Sequence, residues 1–314
     1  MQQTQASRNA IPQQSRFRAL FYLLTGGALL GLSTNLAKLA GDVALSPLAF
    51  LFWSLSGAAL ILLALAAARG RLPPVNARTL EYYTVSALVG VAGSNLLFFS
   101  AIAHIGAGFV ALVITLPPLL TYLGALVLKM ERFQVMRAVG VASALAGAIT
   151  LAAHKMAAPD ADVRWILLAL LGPVLLAIGN LYRTLRWPEG VSGEALAPGM
   201  LVAAVVLLLG VSLIPGLSLG LAGNQPVVIL LIAVQAVVFA GQFLLLFLLQ
   251  KTGGPVLLSL LGSVGALFGV PVAIFVQGES APEGLLLGAA FIATGIALLN
   301  MDKVKRPARN RASR

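Results

Sequence analysis

The chain has 314 residues and a net charge of +11, and 59% of its residues are hydrophobic while 10% are charged. This composition excludes an ordinary water-soluble globular protein, because too few polar residues remain to cover the apolar ones. Cysteine is absent, which excludes disulfide bonds, iron–sulfur clusters and thiolate zinc sites.

Apolar stretches long enough to cross a lipid bilayer follow one another along almost the whole chain. About 20 apolar residues span a bilayer as an α-helix. The connections are short, which favours antiparallel neighbouring helices and leaves no room for a soluble domain. The pattern predicts an all-α polytopic membrane protein. Its ten predicted transmembrane helices are residues 17–40, 46–68, 79–103, 106–128, 134–153, 163–184, 195–214, 226–250, 254–276 and 283–301.

Basic residues are distributed unevenly between the two sides that these helices define. Eighteen of the 21 Lys and Arg residues fall in the tails and even-numbered loops, and the other three are Lys38, Lys155 and Arg164. Because Lys and Arg accumulate in cytoplasmic loops, both termini are predicted to face the cytoplasm. Orientation in the membrane thus accounts for the net charge, and we expect no nucleic-acid partner.

Three sequence patterns recur in the same order in the two halves. Glu131 is followed by Gly140 and Gly147, as Glu279 is followed by Gly288 and Gly295, at an offset of 148 residues. N-L-A-K at residues 35–38 returns as N-L-Y-R at residues 180–183. H-I-G-A-G at residues 104–108 aligns with K-T-G-G-P at residues 251–255, and both are predicted to be turns between spans. We interpret the three matches as an internal duplication.

An odd number of helices in each repeat gives the two halves opposite orientations in the membrane. We therefore predict two inverted five-helix repeats, at residues 17–153 and 163–301. A cytoplasmic tail at 1–16, an external linker at 154–162 and a basic cytoplasmic tail at 302–314 complete the predicted organisation. Inverted repeats are typical of secondary transporters, in which the substrate binds between the halves.

Several motifs are similar to those of a known family. They are A-I-A-H-I-G-A-G (Ala101–Gly108), T-L-P-P (Thr115–Pro118) and the two glutamates with their glycines. With its ten predicted helices, the chain resembles the drug/metabolite transporter superfamily from about residue 17 to 301 and, within it, the EamA-type bacterial exporters. The resemblance implies export of small metabolites across the bacterial inner membrane, through a cavity between the halves. The branch that it resembles most exports aromatic amino acids.

Proline and glycine residues within the spans are candidates for hinges and close helix contacts. Pro117 and Pro118 have no proline counterpart at residues 262–265, so the bend of the ninth span is expected at Pro271. The repeated glycines are predicted to pack helices together, with oligomer formation through their faces as the alternative. These glycines are Gly140, Gly147, Gly288 and Gly295. Monomer and homodimer both stay open.

Polar side chains inside the predicted spans are the first candidates for substrate binding, because a polar group that faces lipid is costly. Asn35 and Asn180 occupy equivalent positions in the two repeats, and their amides could bind the carboxylate and ammonium groups of an amino acid. An interhelical hydrogen bond is the alternative. Asn95 and Gln242 form a second equivalent pair, which we predict to face the cavity.

Charged residues in the spans are few. Lys38 and Arg183 could neutralise an anionic substrate, but we expect them to extend to the lipid headgroups instead. No acidic residue lies in the middle of a predicted span. A buried carboxylate is the usual proton carrier of a coupled transporter, so its absence weakens the case for proton coupling and leaves facilitated efflux open.

Aromatic residues could form a stacking surface for an aromatic or otherwise apolar substrate. Phe99 and Tyr122 lie deepest in their predicted spans, and Tyr182 lies in the sixth span. Tyr82 and Trp165 lie near span ends, where an interfacial belt is the alternative to a position at the mouth of the cavity.

The sequence therefore predicts a secondary transporter that exports small metabolites, preferably apolar or aromatic amino acids, by alternating access. Its cavity is expected between the first, third, fourth, sixth, eighth and ninth spans. We expect no cofactor and no metal, and we do not predict an enzyme, because the chain offers two histidines and no intramembrane carboxylate for catalysis. The alternatives are a drug, nucleoside or nucleotide-sugar carrier of the same fold, or a membrane-embedded enzyme or sensor.

Overall fold

The structure is a computed structural model that describes residues 13–131, 133–157, 162–221, 225–281 and 284–301. These residues form helices and contain no β-strand. Two short π-helical segments, Leu88–Ala92 and Val272–Val276, directly follow the helices that end at Ala87 and Pro271. The α-helices α1 to α12 are Gln13–Asp42, Pro47–Ala68, Ala77–Ala87, Gly93–Ile105, Ala107–Val113, Pro117–Val127, Val135–Ala157, Val163–Leu185, Gly193–Val211, Gln225–Ser259, Leu261–Pro271 and Leu285–Met301.

Eight helical segments of the described chain are long and apolar enough to cross a membrane. They coincide with the first eight predicted spans, and the ninth and tenth predicted spans hold shorter apolar helices, Leu261–Val276 and Leu285–Gly295. The prediction of an all-helical membrane protein is confirmed. The count of ten spans and the inverted relation of the halves stay predictions. The eight segments are Arg18–Asp42, Pro47–Ala68, Ala77–Ile105, Ala107–Val127, Val135–His154, Val163–Leu185, Gly193–Val211 and Pro226–Lys251.

Large apolar side chains cover the outside of the bundle as well as its interior. Leu60, Phe275 and Leu286 are 68%, 83% and 85% exposed, whereas Phe50 and Phe239 are fully buried in the core. Exposure of many large apolar side chains is unfavourable in water and matches the hydrocarbon of a bilayer. The outer surface is therefore suited to contact with lipid.

Three irregularities interrupt the helices between residues 77 and 127. The π-helical segment separates α3 from α4, and Gly106 ends α4 with a φ of +86°, a conformation that glycine adopts without steric cost. Pro117 and Pro118 occupy the first two positions of α6, where a missing backbone N–H is tolerated. Pro271 is the last residue of α11 and precedes the second π-helical segment. A hinge function at these prolines stays a prediction.

The two glycine-bearing helices, α7 and α12, pack against each other. A Cβ atom at Gly147 would lie 2.6 Å from the Gly288 carbonyl oxygen, and one at Gly295 would overlap the Gly140 carbonyl oxygen. Ser143 Oγ adds a hydrogen bond of 2.9 Å to the Phe291 carbonyl. All four repeated glycines are buried in this contact, so in this structure they bring two helices of the same chain together.

The structure differs from the sequence prediction after the eighth span. The sequence predicts a turn at residues 251–255, but α10 continues without interruption to Ser259. Gly106 ends a helix, whereas the aligned Gly253 lies within one. Glycine permits a positive φ but does not require it, so the matching sequence is insufficient to terminate the helix.

Candidate functional site

A partly polar cavity lies inside the bundle, between α1, the π-helical segment with α4, the α5–α6 region, α8, α10 and α11. These elements belong to the first, third, fourth, sixth, eighth and ninth predicted spans. The cavity offers about 80 Å³ for the centres of water-sized molecules, whereas sites for small molecules measure roughly 300–1,000 Å³. The space in this conformation is therefore smaller than a typical small-molecule site. The polar side chains of the wall are Ser33, Thr34, Asn95, Asn180, Arg183 and Gln242.

Arg183 is the charged residue of this wall. It is 1% exposed, and it points into the bundle rather than to the headgroups, which corrects the expectation from the sequence. Its Nη2 donates a hydrogen bond of 2.6 Å to Asn180 Oδ1, one turn earlier in α8. Its Nε and Nη1 have no hydrogen-bond partner in the described protein. The cavity thus contains a buried cation with unused donors.

Two glycines explain why the arginine fits there. A Cβ atom at Gly179 would lie 3.1 Å from Gly90 Cα, so α8 and the π-helical segment meet at their backbones. Arg183 lies four residues after Gly179 and hence on the same face of α8. A Cβ atom at Gly90 would lie 2.5 Å from Arg183 Nη1. The close contact brings the two segments together, and the missing side chain of Gly90 leaves the space that the guanidinium occupies. π-Helical turns are frequent at functional sites.

The amide side chains give the cavity both donors and acceptors. Asn95 Nδ2 donates to the Val91 carbonyl at 2.8 Å, within its own helical segment. Gln242 is 5% exposed, and its Oε1 has no hydrogen-bond partner in the described protein. Asn180, as the acceptor for Arg183, orients the guanidinium. These amides therefore lie in one wall with the arginine and retain unused hydrogen-bonding capacity.

Asn35 does not line the cavity. Its Nδ2 donates to the carbonyl oxygens of Gly31 at 2.8 Å and Gly269 at 3.1 Å, and its own carbonyl accepts from Gln277 Nε2 at 2.9 Å. These bonds connect α1 to α11 and to the end of the second π-helical segment. The contacts fit the interhelical alternative, although the sequence gives Asn35 and Asn180 equivalent positions.

The aromatic candidates are divided between the cavity and its surroundings. Phe99 lines the cavity and stacks on Phe239, with ring centroids 6.1 Å apart. Phe98 lines it too and packs over Gly172. The sequence analysis did not select Phe98, because its proximity to Gly172 depends on the packing of α4 against α8. Phe243 adds a third ring to the same wall.

The remaining aromatic candidates lie outside the cavity lining. Tyr82 and Tyr182 stack on each other at 6.1 Å, and Trp165 stacks on His104 at 4.2 Å. The Tyr122 hydroxyl accepts a hydrogen bond of 3.2 Å from the backbone N–H of Gln134. The structure therefore brings together four of the nine predicted binding residues, namely Asn95, Phe99, Asn180 and Gln242. A binding role for any of the nine stays a prediction.

Glu279, which lies after the second π-helical segment, contacts both the end of α1 and the start of α5. Lys38 Nζ lies 3.1 Å from Glu279 Oε1. The same carboxylate accepts hydrogen bonds from the amides of Ala107, at 2.7 Å, and Gly108, at 2.9 Å. A Cβ atom at Gly106 would lie 3.0 Å from Glu279 Oε2, so a side chain there would crowd the carboxylate. We call Lys38, Glu279, Ala107 and Gly108 the Glu279 cluster.

The corresponding glutamate of the first half has a different partner. Glu131 Oε2 pairs with Arg137 Nη1 at 3.0 Å, and Arg137 also lies over the Tyr122 ring at 5.5 Å.

Arg186, just outside the membrane-spanning part of α8, pairs with Glu81 at 3.0 Å. The hydrogen bond to Glu81 and the negative charge of Glu81 raise the pKa of Arg186, so this exposed arginine stays cationic.

Comparison with known proteins supports part of the resemblance. Residues 17–153 match the model of the EamA-like transporter family, which supports similarity to the drug/metabolite transporter superfamily. No curated protein matches the chain. Seventeen chains of solved structures match. One of them, titled only as the crystal structure of a protein, has a TM-score of 0.63 and 19% sequence identity, and the match covers 93% of this chain and 99% of the other. At that identity the likeness shows a shared fold.

Proposed function

We propose that this protein is a secondary transporter that carries a small molecule through the cavity. The observation that carries the proposal is a buried arginine together with three amide side chains inside a bundle whose outer surface is apolar. Such polar groups at membrane depth are costly and usually face a path for a substrate or ion. The match of residues 17–153 to a transporter family supports the same conclusion.

The proposed mechanism is alternating access between two inverted halves, residues 17–153 and 163–301. Both halves contribute to the cavity, for example through Asn95 in the first and Gln242 in the second. In this proposal the structure represents a conformation whose external side is closed by the Glu279 cluster. In this mechanism the Glu279 cluster connects elements of both halves at the end of α1 and separates when the cavity opens to that side.

The proposed direction is export across the bacterial inner membrane, with both termini in the cytoplasm. The distribution of Lys and Arg supports this orientation. The proposed substrates are amino acids with aromatic or other apolar side chains. Phe98, Phe99 and Phe243 line the cavity together with the polar groups, which fits a molecule that has an apolar and a polar part.

Purified protein in proteoliposomes tests the proposal. Liposomes are loaded with amino acids, nucleosides and organic cations, and we expect apolar amino acids to leave faster than from protein-free liposomes. Gln242→Leu, in the cavity wall, should slow this efflux, whereas Leu60→Ala, on the lipid-facing surface, should not. Movement of nucleosides or cations alone would reject the substrate, and movement of no solute would reject transport.

A further inference from the structure

We propose that Arg183 forms an anion subsite, and that the molecule bound in the cavity carries a carboxylate group. The inference rests on the proposed transport function, because it concerns the substrate of the same cavity. It assigns the residue that recognises the carboxylate group of the proposed substrates.

The first argument is the missing counter-charge. In the described part of the chain, we compare the acidic partners of three basic residues that are wholly or partly buried in the spans. Lys38 pairs with Glu279 and Arg137 pairs with Glu131, whereas no carboxylate lies within ion-pair distance of Arg183. A buried cation without a counter-charge is unfavourable in a low-dielectric interior. An anion that enters the cavity supplies the missing charge.

The second argument is that the arginine is accessible from the cavity and held in position. Arg183 lines the cavity, and Asn180 fixes one nitrogen of its guanidinium. Nε and Nη1 remain without protein partners. Gly90 leaves room for the guanidinium, since a Cβ atom there would lie 2.5 Å from Arg183 Nη1. An arginine that is already oriented loses less conformational entropy when it binds an anion.

The third argument concerns the rest of the ligand. One guanidinium balances one negative charge, so a monocarboxylate fits better than a phosphate dianion. The Oε1 atom of Gln242 is an acceptor without a partner and suits a hydrogen-bond donor such as an ammonium group. Phe98 and Phe99 suit an apolar substituent. The predicted ligand therefore has a carboxylate, an apolar body and room for a donor group.

Matched pairs of small molecules test the carboxylate directly. Monocarboxylates from acetate to 3-phenylpropionate, and L-phenylalanine, are compared with their primary amides as stabilisers of the detergent-solubilised full chain. We expect a saturable increase in unfolding temperature with acids that have an apolar body, and no increase with their amides. Equal stabilisation by acids and amides, or stabilisation by no acid, would overturn the inference.

Substitutions on α8 separate binding from folding. Arg183→Gln should weaken acid binding roughly 10- to 100-fold, while the unliganded protein unfolds at a higher temperature because an uncompensated buried charge is gone. Arg183→Lys should retain part of the binding. Arg186→Gln, at the residue that directly follows α8, is the matched control and should bind acids as the parent does. Unchanged acid binding in Arg183→Gln would contradict the proposal.

Transport of the same compounds separates this inference from the proposed function. Acids that stabilise the protein in an Arg183-dependent way but do not cross proteoliposomes would reject transport and keep the anion subsite. Transport of acids and amides at equal rates would keep transport and reject the subsite. If the acids neither bind nor cross, both the subsite and the proposed amino-acid substrates are rejected.

Discussion

Replacing Glu279 with Gln tests whether the Glu279 cluster holds the cavity closed. The Glu279 carboxylate accepts two backbone hydrogen bonds, from Ala107 and Gly108, and pairs with Lys38. Gln has one acceptor oxygen and one NH₂ group, so it leaves one of the two amides without an acceptor. It also removes the charge that balances Lys38, and it does so without a change in side-chain size.

The expected magnitude follows from these two losses. A buried amide without an acceptor costs about 1–3 kcal/mol. Lys38 and Glu279 are 20% and 14% exposed, and an ion pair near a surface contributes about 1 kcal/mol. If the contacts exist in the closed conformation alone, a loss of about 2–4 kcal/mol shifts the equilibrium toward the open conformation by roughly 30- to 700-fold.

Thiol labelling measures this shift, because the chain has no cysteine and an introduced one is unique. Thr34→Cys places the thiol in the cavity wall. A membrane-impermeant maleimide is added from the side where α1 ends, which the topology predicts to be external. Glu279→Gln should increase the labelling rate at least tenfold, and Glu131→Gln, the matched control, should not increase it. An unchanged rate in Glu279→Gln, or an equal increase in both variants, would refute the reasoning.

Two further predictions concern packing and the amide pair. Gly147→Leu forces a side chain against the Gly288 carbonyl and should destabilise the protein by about 1–3 kcal/mol, which thermal unfolding in detergent measures. Gly210→Leu is the control and should not destabilise the protein, because a Cβ atom at Gly210 meets nothing within 4 Å. Asn35→Ala should lower the stability by about 0.6–1.7 kcal/mol and leave acid binding intact. Asn180→Ala should weaken acid binding. Equal effects of the two substitutions on acid binding would contradict the different surroundings of the two asparagines.

The sequence predicts the helices well because the length of an apolar run is a direct physical requirement of the bilayer. It predicts their interruptions poorly. Pro117 and Pro118 are visible as a break, since proline cannot donate the helical hydrogen bond. The π-helical segment at Leu88–Ala92 has no comparable signal, and the glycine pair at 253–254 wrongly suggests a turn within α10. These features depend on neighbouring helices, which a local pattern does not contain.

In the candidate site, too, the sequence predicts which residues are present in the spans but not which neighbours they contact. Polar residues in apolar spans are easily found, and several of them line the cavity. Asn35 and Asn180 are indistinguishable by sequence, yet Asn35 bonds to the Gly269 carbonyl and Asn180 bonds to Arg183. The inward position of Arg183 depends on the contact between Gly90 and Gly179, which are 89 residues apart. The orientation of a long basic side chain therefore requires the packed structure.

Lys38 and Arg183 occupy matching positions in the repeated sequence but have different partners. Lys38 pairs with Glu279, whereas Glu131 pairs with Arg137 and leaves Arg183 in the cavity. If inverted halves exchange conformations, as in transporters with inverted repeats, Arg183 should pair with Glu131 when the cavity opens to the external side, and Lys38 should be released.

The predicted exchange of ion pairs gives the two glutamate variants opposite effects on the labelling rate of Thr34→Cys. Glu279→Gln weakens the conformation described here and raises the labelling of Thr34→Cys from the external side. Glu131→Gln removes the partly exposed pair with Arg137 in the conformation described here, and it also removes the pair with Arg183 that closes the cytoplasmic side of the opposite conformation. Because Arg183 is the more deeply buried partner, the second loss should be the larger one, and the same labelling rate should fall. A substrate carboxylate bound to Arg183 would compete with Glu131 for the guanidinium, so release of the substrate would favour that pair. A rise in labelling with Glu131→Gln would show that the two glutamates do not act as equivalent positions of an inverted repeat.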